Sequence, residues 1–413
     1  MLSVLSVLAV VLKERRIGAT AIFLAQLALP TYGFYVLQSD GGSVQNGWLV
    51  LAAPAIFAVG ALCVSGRSRS DTLPTQGVWL GIFLRNAFLI LGALAIAHYS
   101  AIGITLLNPS VETSRFDIGS SGGGGLPSRA VMYAIPALAL LSLATLSRKT
   151  RRVTASIWVL YSLSQVAMGF KGALIEVLLV AAIGYVINVY KPRSRDIVLF
   201  SCGLVGALLY VQFVGSKYGT FGSTVGGVSY ILDRSTTEAI RAGYSALSIQ
   251  HLMPAGSAFI QDLDILLARY TGARAADAYT FDSLISSVVT GTALRAGNFI
   301  VPVTVGGAVY LLFSAALPIV IVILVTLGFI WGKMIWVIRR PETVVTASAA
   351  AVLIYGIRIF MMNGGGAYLL INLSFTFIML LLCSVPGVVH ARLQPSRPSL
   401  IGNGCGGARY DAA

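Results

Sequence analysis

The run Gly307-Ala-Val-Tyr-Leu-Leu-Phe-Ser-Ala-Ala-Leu-Pro-Ile-Val-Ile-Val-Ile-Leu-Val-Thr-Leu-Gly-Phe-Ile-Trp331 contains no charged residue and is followed within two positions by Lys333. About 20 such residues in a helix cross the hydrocarbon of a bilayer, so this stretch reads as a transmembrane span. Its pattern recurs along the chain. Cutting the 413 residues at their polar breaks gives spans near 17–37, 47–65, 78–100, 129–147, 153–170, 172–190, 197–215, 307–331, 343–361 and 367–388. Met1–Leu12 is apolar but short and stops at Lys13-Glu14-Arg15-Arg16, leaving open an eleventh span. Hydrophobic residues make up 56% of the chain and charged residues 11%, against roughly 25% charged in a soluble domain. With a mean hydropathy of +0.83, this excludes a soluble globular protein. The fold class expected is all-α, a polytopic membrane protein of ten or eleven transmembrane helices with one large helical extracytoplasmic loop.

The 29 Lys and Arg against 15 Asp and Glu give a net charge of +14, which in another context would suggest nucleic acid. Here the cations sit in short loops, and their alternation sets an orientation. If every span crosses, eighteen fall on one face, assigned to the cytoplasm together with the C-terminus. Nine fall opposite, and Arg85 and Arg358 lie within spans, Arg358 near enough to an end to snorkel outward. Four units follow: spans 1–215, with a glycine-rich outer loop at 108–128; an extracytoplasmic helical subdomain at 216–299; spans 300–390; and a Pro/Gly/Ser/Arg-rich cytoplasmic tail at 391–413, expected to be disordered. The cysteines show no paired spacing for disulfides or zinc.

Within 216–299, Ser235-Thr-Thr-Glu238 has the form of a capping box, so a helix is expected to start there. Ile240, Tyr244 and Leu247 share one side of it, and Arg234, Glu238, Arg241 and Ser245 the other. A second helix is expected over 257–270, with Phe259, Leu263, Leu266, Leu267 and Tyr270 apolar and facing together.

No nucleotide-binding loop is present, since Ser121-Gly-Gly-Gly-Gly125 lacks both a preceding strand and a following lysine. His98, His251 and His390 are scattered, and Asp262 and Asp264 fall on different helix faces, so no metal site is expected. The outer face instead carries cations beside apolar surface: Arg115, Lys171 in Gly169-Phe-Lys-Gly172, Arg234 and Arg241. Guanidinium groups grip phosphate in bidentate fashion and lysine supplies a point charge, a set suited to a membrane-held diphosphate. Each also has a plainer reading as a solvated or headgroup contact. Glu176, about 7 Å deeper than Lys171, is the one acid inside a span, either functional or a protonated or Ser/Tyr-paired carboxyl fixing helix packing.

The succession of Glu112-Thr-Ser-Arg115-Phe before a span, Met168-Gly-Phe-Lys-Gly-Ala-Leu-Ile-Glu-Val-Leu-Leu179 entering a span closed by Lys191-Pro-Arg-Ser-Arg195, a long outer loop, and Pro302-Val-Thr-Val-Gly-Gly-Ala-Val-Tyr310 resembles bacterial O-antigen polymerases, the oligosaccharide repeat unit polymerase family. In this resemblance Lys171 stands where the family usually has arginine, and the glycine expected after Gly307-Ala-Val-Tyr310 is missing, which leaves room for a sibling such as O-antigen ligase. The resemblance implies an inner-membrane, metal-independent glycosyltransferase without cofactor. It would polymerise undecaprenyl-diphosphate-linked repeat units of an O-antigen, capsule or exopolysaccharide, with a flippase and a chain-length regulator as partners and no nucleic acid. Arg234, Arg241, Glu238 and Asp233 are the catalytic candidates; Arg115, Lys171 and Arg358 are candidates for the diphosphate. A transporter or flippase is the rival class, disfavoured because the charges gather in one outer loop rather than at the midplane.

Overall fold

The computed structural model describes residues 2–14, 18–64, 78–107, 126–169, 172–188, 194–217, 232–233, 235–248, 258–271, 281, 284–285, 305–341 and 343–393. Among them there is no strand. The helices are α1 (Leu2–Glu14), α2 (Ala19–Gly41), α3 (Gly47–Val64), α4 (Val78–Ile102), α5 (Leu126–Ala144), α6 (Arg151–Ala167) and α7 (Ala173–Asn188). They continue as α8 (Ser194–Lys217), α9 (Thr237–Ser248), α10 (Ala258–Thr271), α11 (Gly307–Ser314), α12 (Leu317–Arg339), α13 (Val344–Asn363) and α14 (Gly366–Leu393). Seven of them are long and apolar enough to cross a membrane: α2, α3, α4, α5, α8, α12 and α13. α7 and the stretch Leu369–Ser384 of α14 are shorter apolar helices. The chain is an all-α, multi-pass membrane protein. The expected tail beyond 393 and the glycine-rich stretch at 108–125 lie outside the described residues.

The stretch that announced the fold is not one helix. Ala315 is extended, and Pro318 stands in the first turn of α12, unable to donate to the carbonyl four residues back. The expected span 307–331 is therefore two pieces, an eight-residue α11 and a 23-residue α12 that does the crossing. α12 lies against α3 with backbones nearly touching. A Cβ on Gly328 would strike the Phe57 carbonyl, and one on Gly60 would strike the Val325 carbonyl. The Gly328-x-x-x-Gly332 spacing permits this approach, and Phe23 stacks on Trp331 beside it at 4.4 Å.

Proline also shapes α5, which with α13 is the most enclosed of the spans. Pro136 cannot donate to Met132, a π turn covers Ala130–Ala134, and the Tyr355 hydroxyl of α13 donates to the freed Met132 carbonyl at 3.2 Å. α8 is the opposite case, with Leu199, Leu204, Leu209 and Phe213 turned outward as lipid-facing surface. On the face rich in cations, Arg339 donates to the Ile187 carbonyl at 3.1 Å and Lys13 to the Leu62 carbonyl, placing positive charge where α7 and α3 end. That face is called basic below, and the opposite one far.

At the far face α2 overshoots α3. Gly47 meets Phe34 and Gln38, so the last two turns of α2 stand about 10 Å beyond the start of α3. α9 leans on this post. The Thr236 and Thr237 backbone abuts Gly33, Tyr244 packs edge-on against Phe34, and the Tyr244 hydroxyl donates to the Gly42 carbonyl at 3.1 Å. On its other side Gly243 lets the Val305 carbonyl come close. α10 settles on α11 and the start of α14.

Candidate functional site

Two carboxylates, one half-buried and one buried, organise the far face. The first is Glu176, in the first turn of α7, where the helix dipole favours an anion. Both its oxygens receive N–H groups from Arg358 of α13, one through Nη1 and one through Nη2 at 2.6 Å. Arg358 Nε donates to Gln26 Oε1 at 3.0 Å, tying in α2. Arg358 is 2% exposed, whereas the Glu176 side chain is 31% exposed. Arg358 does not snorkel to the surface; the expectation fails because a full counter-charge and an amide lie within reach at its own depth. Glu176 is neither lone nor held only by Ser or Tyr, since the arginine occupies both its oxygens. Tyr161 and Tyr355 stand within electrostatic range of the pair.

The second is Asp262 in α10, 3% exposed. It accepts from the Phe281 backbone N–H at 2.6 Å and from the Tyr310 hydroxyl of α11 at 2.9 Å. Burial pushes its carboxyl above the ordinary Asp range, and the two donated hydrogen bonds pull the other way. Asp264 points outward, so the two acids do occupy different faces. The buried side of α10 is Ala258, Asp262, Ile265 and Leu266, while Leu267 is 51% exposed. The expected apolar face is thus rotated, because Asp262 draws its own side inward to its partners.

The loop residues divide. Helix α9 begins at Thr237, two residues after the expected cap, and buries Ile240, Ala246 and Leu247 while Arg241 stays exposed. Asp233 is exposed, and its carboxylate accepts from the Thr237 hydroxyl. Arg115, Lys171, Arg234 and the Glu238 side chain lie outside the described residues. A small apolar cleft of about 30 Å³ lies between α2, α3, α9, α11 and α13, with Pro30, Pro54, Ile240 and Met361 in its walls. Ile240 is the neighbour of Arg241. Met361 lies one turn beyond Arg358, and Leu27, also in the wall, is next to Gln26.

Gln26, Tyr161, Tyr355 and the Asp262–Tyr310 link were not singled out from sequence. The pairing of Glu176 with Arg358 had a readable signal, since each lies three to five residues from the far end of its helix. Among the described residues no group of three His, Cys, Asp or Glu gathers as a metal site. No family model, curated protein or solved structure matches the chain.

Proposed function

We propose that this protein is a membrane glycosyltransferase that polymerises saccharide repeat units carried on a lipid diphosphate, at a far face that is the outer side of a bacterial inner membrane. One observation carries the reading: cations stand close in the chain to apolar far-face surface, the exposed Arg241 next to Ile240 of the cleft wall and the buried Arg358 one turn before Met361 of the same wall. Cations beside apolar surface suit the anionic head of an amphiphile. In the reaction the acceptor hydroxyl attacks the anomeric carbon, its proton passes to a carboxylate, and the glycosyl–oxygen bond to phosphate breaks. Cations stabilise the departing diphosphate. Asp233 and Glu238 are the carboxylates proposed as base, Arg234 and Arg241 the cations beside them, and Arg115, Lys171 and Arg358 the diphosphate ligands. The C-terminus lies on the cytoplasmic side in this scheme. The test is purified protein in detergent with undecaprenyl-diphosphate-linked repeat units, without nucleotide or divalent metal. Longer chains are the expected product, and unchanged donor would overturn the proposal.

A second reading is favoured by the buried Glu176–Arg358 pair, because ionisable groups within spans often line transport paths. A flippase would move labelled lipid-linked saccharide across a vesicle bilayer with no change in its length. Chain growth with no transfer would exclude it.

A further inference from the structure

Arg358 has five N–H donors, of which Glu176 takes two and Gln26 one. The two left over face an interior in which the residue is 2% exposed. The Tyr161 hydroxyl, in a side chain that is wholly buried, has no partner among the described residues and lies within electrostatic range of both charges. Among the described residues, a buried hydroxyl donor without a partner thus stands in electrostatic range of an arginine whose bonds to Glu176 and Gln26 use three of its five N–H groups. Of the two acceptors on Arg358, Glu176 carries the charge; its side chain is 31% exposed and sits in the first turn of its helix. Around Gly172, one turn before it, there is open space on the side where a Cβ would project.

A carboxylate presents to a guanidinium fork the same pair of oxygens that a phosphate does, with one oxygen and some charge fewer. We propose that Glu176 is a resident stand-in: Arg358, Gln26 and Tyr161 form a seat for a phosphate oxyanion, and the arriving phosphate displaces the Glu176 carboxylate. The phosphate's further oxygens take the spare donors, and Glu176 swings toward the side already open to it. This rests on the lipid-diphosphate reading above and adds a gate to it. The site is closed while empty, so the guanidinium is never left bare in the membrane, and opens only to an anion that outcompetes a carboxylate.

The experiment follows thermal unfolding of the purified full-length protein in detergent against increasing inorganic diphosphate and, separately, against a short-chain polyprenyl phosphate. Glu176→Gln removes the competing charge while keeping the shape. It should melt below the unaltered protein when no anion is present, recover with anion, and half-saturate at about tenfold lower concentration because no closed state competes. Glu176→Asp keeps the charge one methylene further back and should half-saturate in between. Arg358→Gln should respond to neither anion. If Glu176→Gln melts lower and neither anion restores it, and neither anion shifts the melting of the unaltered protein or of Glu176→Asp, the pair is a structural tie and the seat is refuted. Recovery with the polyprenyl phosphate alone assigns a ligand entering from the bilayer, and recovery with both assigns a seat reachable from water. Chain growth is scored separately. Anion rescue without it leaves the seat standing and removes the polymerase reading, and growth without rescue does the reverse.

Discussion

Glu176 and Asp262 are both carboxylates removed from water near the far face, and the two regions satisfy them by different means. In the bundle, helix formation consumes nearly every backbone N–H, so a buried acid must find side-chain donors, and Arg358 supplies a charged pair of them. In the far-face segment the chain is broken into short pieces, and a backbone N–H at Phe281 is available, so Asp262 is held by neutral donors. A charge pair couples strongly and can be exchanged for another anion. Neutral hydrogen bonds from two separate segments instead fix one arrangement.

The comparison breaks most visibly at Arg358. Arg358→Met leaves Glu176 without its cation and should cost about 3–5 kcal/mol, the range for removing one partner of a buried pair. Adding Glu176→Leu should recover much of that loss, because two apolar side chains satisfy the bilayer interior without hydrogen bonds. Denaturant unfolding in detergent of the single and double variants measures the coupling, and independent losses would mean that the pair is not a unit.

Asp262→Ala should cost about 2–4 kcal/mol, since it strands the Phe281 N–H and the Tyr310 hydroxyl. The loss should be local. Hydrogen exchange should rise over 258–271 and 281–285 while α3 and α12 stay protected. The pH dependence has a defined sign. Asp262 has a folded-state pKa raised above the ordinary Asp value of 3.8, so the folded form holds its proton more tightly than the unfolded form. The stability linked to this group is full below 3.8 and is lost as pH rises through the raised value. Protection of α10 should therefore grow on mild acidification in the unaltered protein and lose that dependence in Asp262→Asn. Protection that falls with acid in both would assign the pH effect to other groups.

The bundle was more legible than the segment above it, and the reason lies in what each must satisfy. A bilayer demands long uninterrupted apolar helices, so the limits of α2, α3 and α13 agree with the sequence reading to within about four residues at each end. Two readings failed in the bundle: Pro318 parts α11 from α12, and Arg358 is held inside by Glu176 and Gln26 instead of snorkelling outward. The far-face helices were placed at the right positions, yet the buried side of α10 was misjudged. Apolar periodicity gives no weight to an aspartate, and the donors to Asp262 come from 19 and 48 residues away. Glu176 and Arg358 were noticed separately as intramembrane charges. Their pairing depends on where α7 and α13 meet α2, which no local pattern contains.

A smaller loss is expected in the seam between α3 and α12. Gly328→Ala places a methyl group against the Phe57 carbonyl, so one backbone must shift, at about 1–3 kcal/mol. Gly81→Ala, with no neighbour closer than 3.9 Å, should be neutral by the same denaturant assay. Equal effects would mean that helix propensity rather than the close approach decides both.

The smallest change in stability is expected at Arg241, and it sharpens the contrast because the residue is exposed on a helix whose opposite side is buried. Arg241→Ala should leave unfolding within about 0.5 kcal/mol of the unaltered protein, as for most surface substitutions. If Arg241 stabilises a departing diphosphate, the same variant should lose about 10²-fold in chain growth, the size of effect seen when a donor to developing negative charge is removed. Arg241→Lys should recover only part of it, because a point charge cannot reproduce a two-pronged guanidinium contact. Asp233→Asn, just before the same helix, serves as the companion variant. Loss of chain growth in both, with unfolding unchanged, keeps the acid and the cation together as one catalytic group. Full chain growth in Arg241→Ala would take α9 out of the chemistry and leave it only as the helix that leans on α2.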